Sequence, residues 1–226
     1  MAHFRRTAPF GGNRVNRLLF RIVLLMGLLV GTPAWALPTG QSLVFSGGAS
    51  FPTQPNAVSN QWNTGYALCG GLFWRAAPTL SLGVEIGYYR HGLDSEAFQA
   101  MLQDTYPDVS VSGHSLWVMP LSAVGELDLL RWGVVKPFLR AGFGVYTFGT
   151  TPLEASGPGA DDVRDQVASD PLTQHLDGTV FGTLIGVGIH TPITPVLTLV
   201  FDATYHVANT RGESTHFIPV RVGLRF

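Results

Sequence analysis

Charge is what this chain has least of. Acidic and basic side chains make up 13% of its 226 residues, where ordinary soluble domains carry roughly a quarter. Cysteine is reduced to one, Cys69, so no disulfide can form within the chain. Past the N-terminal leader, no apolar run reaches the about 20 residues that a membrane-spanning helix needs. Basic patches of the kind that hold nucleic acid are missing as well. A chain poor in charge and without helical spans has one other way to live in lipid, as a closed β-barrel in which every backbone group is paired.

The N-terminus sets the compartment. "MAHFRRTAPFGGNRVNRLLFR" has five arginines and no acid, and the short apolar run "IVLLMGLLVG" follows it. "TPAWA" then places small residues at Ala34 and Ala36. A basic region, an apolar stretch too short to span and an A-x-A site predict a cleaved signal peptide over residues 1–36. The mature part, 37–226, is then one domain. Arg5 and Arg6 lack the rest of a folded-export motif, and no lipobox cysteine sits at the junction. With the leader gone, nine basic residues face fifteen acidic ones, a formal balance of −6. That balance speaks against nucleic acid as a partner.

What the mature chain does have is alternation. Eight segments read with a period of two: Ser42–Phe51, Gly65–Ala76, Leu80–Arg90, Ser115–Asp128, Phe138–Phe148, Val180–His190, Leu197–Val207 and Phe217–Phe226. Each is about as long as a tilted membrane strand. The connections "APT" and "TPIT" are tight and "LLRWGVVK" is fairly short, while those after strands one, three, five and seven are longer. An even strand number with short turns at one end and long loops at the other predicts an all-β, eight-stranded antiparallel up-and-down transmembrane barrel. The short turns and both termini are then periplasmic, and the long loops extracellular. In the loop "DSEAFQAMLQDTY", Phe98, Met101 and Leu102 share one helical face behind an Asp94 or Ser95 cap, which predicts a short surface helix. The acidic stretch "TTPLEASGPGADDVRDQVASDPLTQHLDG", broken by Pro and Gly, reads as a mobile loop.

Comparing strands tells which face meets lipid. Leu80, Leu82, Val84, Ile86 and Tyr88 oppose Ser81, Gly83, Glu85, Gly87 and Tyr89; Leu139, Ala141, Phe143 and Val145 oppose Arg140, Gly142, Gly144 and Tyr146. The polar faces are rich in Gly with one or two charges each, which suits a narrow lumen rather than water. Their charges balance in sign. Glu85, Glu126 and Asp202 are expected to meet Arg140 and Arg221 as a lumen charge network, since burying any one alone is costly. The apolar faces, ending in Trp74, Tyr88, Tyr205 and Phe226, read as lipid-facing walls with aromatic girdles.

The terminal "VRVGLRF", the "GxGxY" of "RAGFGVY" and the strand pattern together resemble the small outer-membrane β-barrel superfamily that includes the OmpA and OmpX transmembrane domains. The resemblance implies a protein of the cell outer membrane, surrounded by lipid and lipopolysaccharide. It implies that Phe226 ends an assembly signal read by the barrel assembly machinery. No peptidoglycan-binding domain is expected after the barrel. An eight-stranded barrel fills its interior with side chains, so the expected role is non-enzymatic: envelope-structural, or surface-binding through long acidic loops, with the extracellular ligand unspecified. Asp161, Asp162 and Asp165 cluster without a calcium-loop spacing, so neither metal nor cofactor is assigned.

Two alternatives remain open. "TYHVANTRGES" resembles the His-x-Ser-Asn stretch of lipid A deacylases; His206 would match the base and Asn209 the asparagine, but Ala208 stands where the nucleophilic serine belongs. The other alternative is an OmpW-like lateral passage for small hydrophobic molecules, to which Pro120 and Pro219 would contribute by removing ladder donors.

Overall fold

The computed structural model describes residues 40–55, 62–102, 105–129, 134–169, 178–210 and 214–226. The predicted signal peptide lies outside the described residues. Eight long strands close into one barrel: β1 (Gln41–Gln54), β2 (Gly65–Ala77), β3 (Leu80–Gly92), β5 (Ser115–Asp128), β6 (Lys136–Thr150), β8 (Gly178–Thr194), β9 (Leu197–Asn209) and β10 (Ser214–Arg225). Each pairs antiparallel with its chain neighbour, and β1 closes the ring against β10. The eight alternating segments read from the sequence match these eight strands to within a few residues at their ends.

Closure runs to the last residue. The Leu43 amide donates to the Phe226 carbonyl at 3.1 Å, and the Phe226 amide donates to the Leu43 carbonyl at 2.9 Å. The backbone of β10 is paired up to Phe226, and its side chains alternate between the outer wall and the lumen. Alternation sets the two faces. Along β3, Ser81, Gly83, Glu85, Gly87, Tyr89 and His91 are buried, while Leu82 and Val84 are exposed on the outside. β6 repeats the pattern, with Leu139, Phe143 and Val145 exposed and Arg140 and Tyr146 buried.

Pro120 and Pro219 both point inward and are buried. Each interrupts the ladder on one side. Pairing of β3 with β5 skips from Ile86↔Leu121 to Tyr89↔Val118, and pairing of β10 with β9 skips from Phe217↔His206 to Val220↔Ala203. A proline has no amide hydrogen to give, and the ladders resume within a few residues.

Two helices and a small sheet sit in the connections. The predicted surface helix is α1 (Ser95–Leu102), whose Ala97 amide donates to the Asp94 carboxylate at 3.0 Å. Of the two proposed caps, Asp94 is therefore the one used. The acidic stretch after β6 differs from the expected mobile loop. Its described part forms strand β7 (Glu154–Ser156), paired with β4 (Ser110–Ser112), and helix α2 (Ala160–Ser169). The reason is hydrophobic: Leu153, Ala155, Ala160 and Val163 recur at spacings that bury one side against Val109 and Val111. The turn between them depends on Gly157, with φ at +111°, where a Cβ would stand 2.2 Å from the Asp108 carbonyl oxygen. Only glycine fits there.

Candidate functional site

The lumen is filled in tiers. At mid-height Arg140, from β6, meets Glu85 at 3.0 Å and Asp202 at 3.4 Å, and also bonds Glu126. Arg221, from β10, reaches Asp202 through Nε at 2.7 Å and Glu85 through Nη1 at 2.9 Å. Arg225 bonds Glu126 from the turn side. Three carboxylates thus face three guanidinium groups, all nearly or fully removed from solvent. Arg221–Asp202 and Glu126–Arg140 are cross-strand neighbours, but Arg221–Glu85 and Arg140–Glu85 span the interior. The network therefore ties five strands together through the middle of the barrel.

Aromatic rings pack around these cations. The Phe73 ring lies 5.7 Å from the Arg140 guanidinium and 4.8 Å from that of Arg225. Phe138 also lies 5.7 Å from Arg140 and stacks on His190 at 4.2 Å. Phe138 has room because Gly188 leaves it; a Cβ there would come within 2.3 Å of the ring. Toward the turn end His190 also faces Asp128 at 3.5 Å.

Above the charge tier sits a hydrogen-bonded aromatic tier. The Arg221 Nη1 donates to Cys69 Sγ at 2.7 Å, and Tyr89 Oη lies 3.3 Å from the same sulfur. His206 has both ring nitrogens engaged, Nδ1 with Tyr146 Oη at 2.9 Å and Nε2 with Thr204 Oγ1 at 3.0 Å. Phe217 stacks on His206 at 4.8 Å and 14°. Ala208, at the serine position of the deacylase-like stretch, is wholly buried on the same inward face, while Asn209 is exposed at the rim. His206 thus faces the interior and not the lipid.

A cap completes the filling. Trp62, Leu93, Leu116, Val109, Val111, Leu153, Ala155, Ala160 and Val163 form one buried cluster with Tyr89, Tyr146 and Phe217 of the lumen, and Phe98 and Leu102 of α1 pack against it. The hydrophobic core of the cap is continuous with the top of the barrel interior. His114 anchors the rim. Its Nδ1 bonds the Thr151 carbonyl, and its ring lies 5.2 Å from that of Trp62. Burial lowers the His114 pKa below the usual imidazole value, against a smaller raising effect from that hydrogen bond.

The five lumen residues named from the sequence, Glu85, Glu126, Arg140, Asp202 and Arg221, come together in one cluster. Sequence parity placed Cys69, Tyr89, Tyr146 and Arg225 on inward faces too, but cross-lumen partners have no signature in one strand's pattern. Of the acidic loop residues, Glu96, Asp108, Glu154, Asp161, Asp162 and Asp165 are exposed, and Asp161 pairs with Arg164 at 2.6 Å. Asp104, Asp170 and Asp177 lie outside the described residues, as does His175. Among the described residues no three ligating side chains gather to hold a metal.

No protein-family model matches the sequence, and no curated protein matches it. Solved structures do. The crystal structure of Neisserial surface protein A is similar over 83% of this chain and 96% of its own, with a TM-score of 0.52 at 14% identity. The fold is that of the small outer-membrane β-barrels. OprG from Pseudomonas aeruginosa aligns over 83% of this chain and 96% of its own at 10% identity and a TM-score of 0.45. Ail from Yersinia pestis, in a phospholipid nanodisc, aligns over 83% and 99% at 12% identity and a TM-score of 0.44. At these identities the likeness concerns the fold, and function must come from the residues.

Proposed function

We propose that this chain is an integral outer-membrane barrel with no catalytic role, whose work is done by a folded cap at the loop end, in envelope structure or in surface binding. The observation that carries this reading is the closed interior. Among the described residues a charge tier, an aromatic tier and the cap follow one another along the axis and fill it with side chains, and Ala208 stands where a deacylase-like serine would be. Outside, Leu68, Val84, Leu121, Phe143, Phe181, Ile185, Val187 and Val222 are all exposed apolar residues. Such a wall is stable only in lipid. Trp74 and Phe226 mark its turn end, and Tyr66, Tyr88 and Trp117 its loop end. The loop end is outward because both termini of an up-and-down barrel lie at the turn end.

The deacylase alternative is disfavoured by the inward aim of His206 and Ala208, since an acyl ester in the membrane meets only the outer face. The test is a lipid A mass spectrum from cells with and without the protein, paired with single-channel recording of the purified barrel. An unchanged spectrum and a silent bilayer are expected. Loss of an acyl chain that depends on His206, or a steady open conductance, would overturn the reading.

A further inference from the structure

Most described cations have a carboxylate partner. Arg75 pairs with Asp128, Arg164 with Asp161, and Arg140, Arg221 and Arg225 with the lumen acids. Lys136 and Arg90 have none. Lys136 lies at the turn end, in the first position of β6. Arg90 differs in every respect that matters. It is exposed on the outer face of β3, two residues past Tyr88 on the same side and near the loop end.

Its surroundings are those of a head-group site. Tyr66 is its cross-strand partner on β2, and Trp117 its cross-strand partner on β5. Tyr66 and Tyr88 approach each other with ring centroids 6.1 Å apart. One row on the outer wall therefore reads Tyr–Arg–Trp, with a second tyrosine just below. The arginine is also anchored. Its Nε donates to Ser115 Oγ at 3.0 Å, and that hydroxyl is held by Thr151 Oγ1 at 3.0 Å. With Nε engaged, the two terminal amino groups have no acceptor among the described residues.

We infer that Arg90, flanked by Tyr66, Tyr88 and Trp117, docks the phosphate of a membrane lipid in the leaflet that surrounds the loop end. An arginine on a lipid-facing wall is costly unless an anion meets it, and a phosphate matches its fork with two parallel hydrogen bonds. Aromatic residues at this level sit among head groups, with their polar tips available as donors. Among the described residues no carboxylate meets Arg90, which leaves its counter-charge for the bilayer to supply. The inference rests on the membrane reading above and names the chemistry of one of its lipid contacts.

The test uses the full mature barrel, refolded into phosphatidylcholine nanodiscs doped with bisphosphorylated lipid A or with the same glycolipid stripped of phosphate. Native mass spectrometry counts glycolipid retained per protein. Retention of the phosphorylated form is expected, falling about tenfold in Arg90→Gln, as befits the loss of one charge-assisted bidentate pair. Arg75→Gln, an exposed arginine at the opposite, turn end, is expected to retain it as the unaltered protein does. Equal retention by Arg90→Gln, equal retention of the stripped glycolipid, or displacement of the lipid by millimolar inorganic phosphate would overturn the inference. Heat-shifted migration checks insertion separately. A barrel that inserts and holds no lipid A sinks the inference alone, whereas a chain that never inserts sinks the membrane reading beneath it.

Discussion

At the scale of single residues, the interior depends on charges that cannot be removed one at a time. Arg221 holds both Glu85 and Asp202. Arg221→Leu leaves those carboxylates short of partners in a space nearly closed to water. The expected loss is about 3–5 kcal/mol of barrel stability, the range seen when one member of a buried ion pair is deleted. Urea titration in lipid vesicles, read by the heat-shifted gel band, measures it. The triple replacement of Arg221, Glu85 and Asp202 by apolar residues of similar volume is expected to recover much of the loss, because no orphan charge remains. His114 gives a second prediction. Its pKa is lowered in the folded state by burial, so the unfolded state binds the proton first as pH falls. The stability this group confers is complete above the ordinary imidazole range and declines below it. Protease cleavage of the cap is therefore expected to be faster at pH 5 than at pH 7.5. In His114→Gln that pH difference should shrink; an undiminished difference places the sensitive group elsewhere.

At the scale of elements, the barrel and its cap were not equally legible. Strands β3, β6 and β9 declare themselves because lipid demands apolar groups at every second position, and a period-two pattern survives unbroken for a whole strand. The inward charges were legible for the same reason: a Glu or Arg among glycines, at even spacing, has few other places to go. The cap was not. Strands β4 and β7 have three residues each, too short for alternation to stand out, and helix α2 carries Asp161, Asp162 and Asp165 directly after the helix-breaking Gly157, Pro158 and Gly159. Only the packing of Val163 and Ala160 against Val109 and Val111 reveals it as folded. Val111→Asp tests whether this is a distinct unit. Burying an unpaired carboxylate there should release the cap to protease while the barrel keeps its heat-shifted band, since β4 lies outside the closed sheet. If the band is lost as well, the cap is an integral part of the barrel's stability.

At the scale of the molecule, the apolar wall of the closed eight-stranded barrel faces lipid, with the capped end and the turn end in water. Everything else depends on it. The polar lumen is filled because the outside cannot be polar; the cap is folded because the loop end is where the chain meets solvent; Arg90 is a lipid contact only if its height is that of head groups. Site-directed spin labelling tests the claim most directly. In a Cys69→Ser background, single labels are placed at Val145, Val187 and Val222 on the wall, at Glu154 in the cap and at Thr79 in a turn. Each is titrated with oxygen, which partitions into lipid, and with a water-soluble nickel chelate. The account predicts high oxygen and low nickel collision at the three wall positions, and the reverse at Glu154 and Thr79. Wall labels open to nickel in protein that migrates as a folded barrel would contradict it.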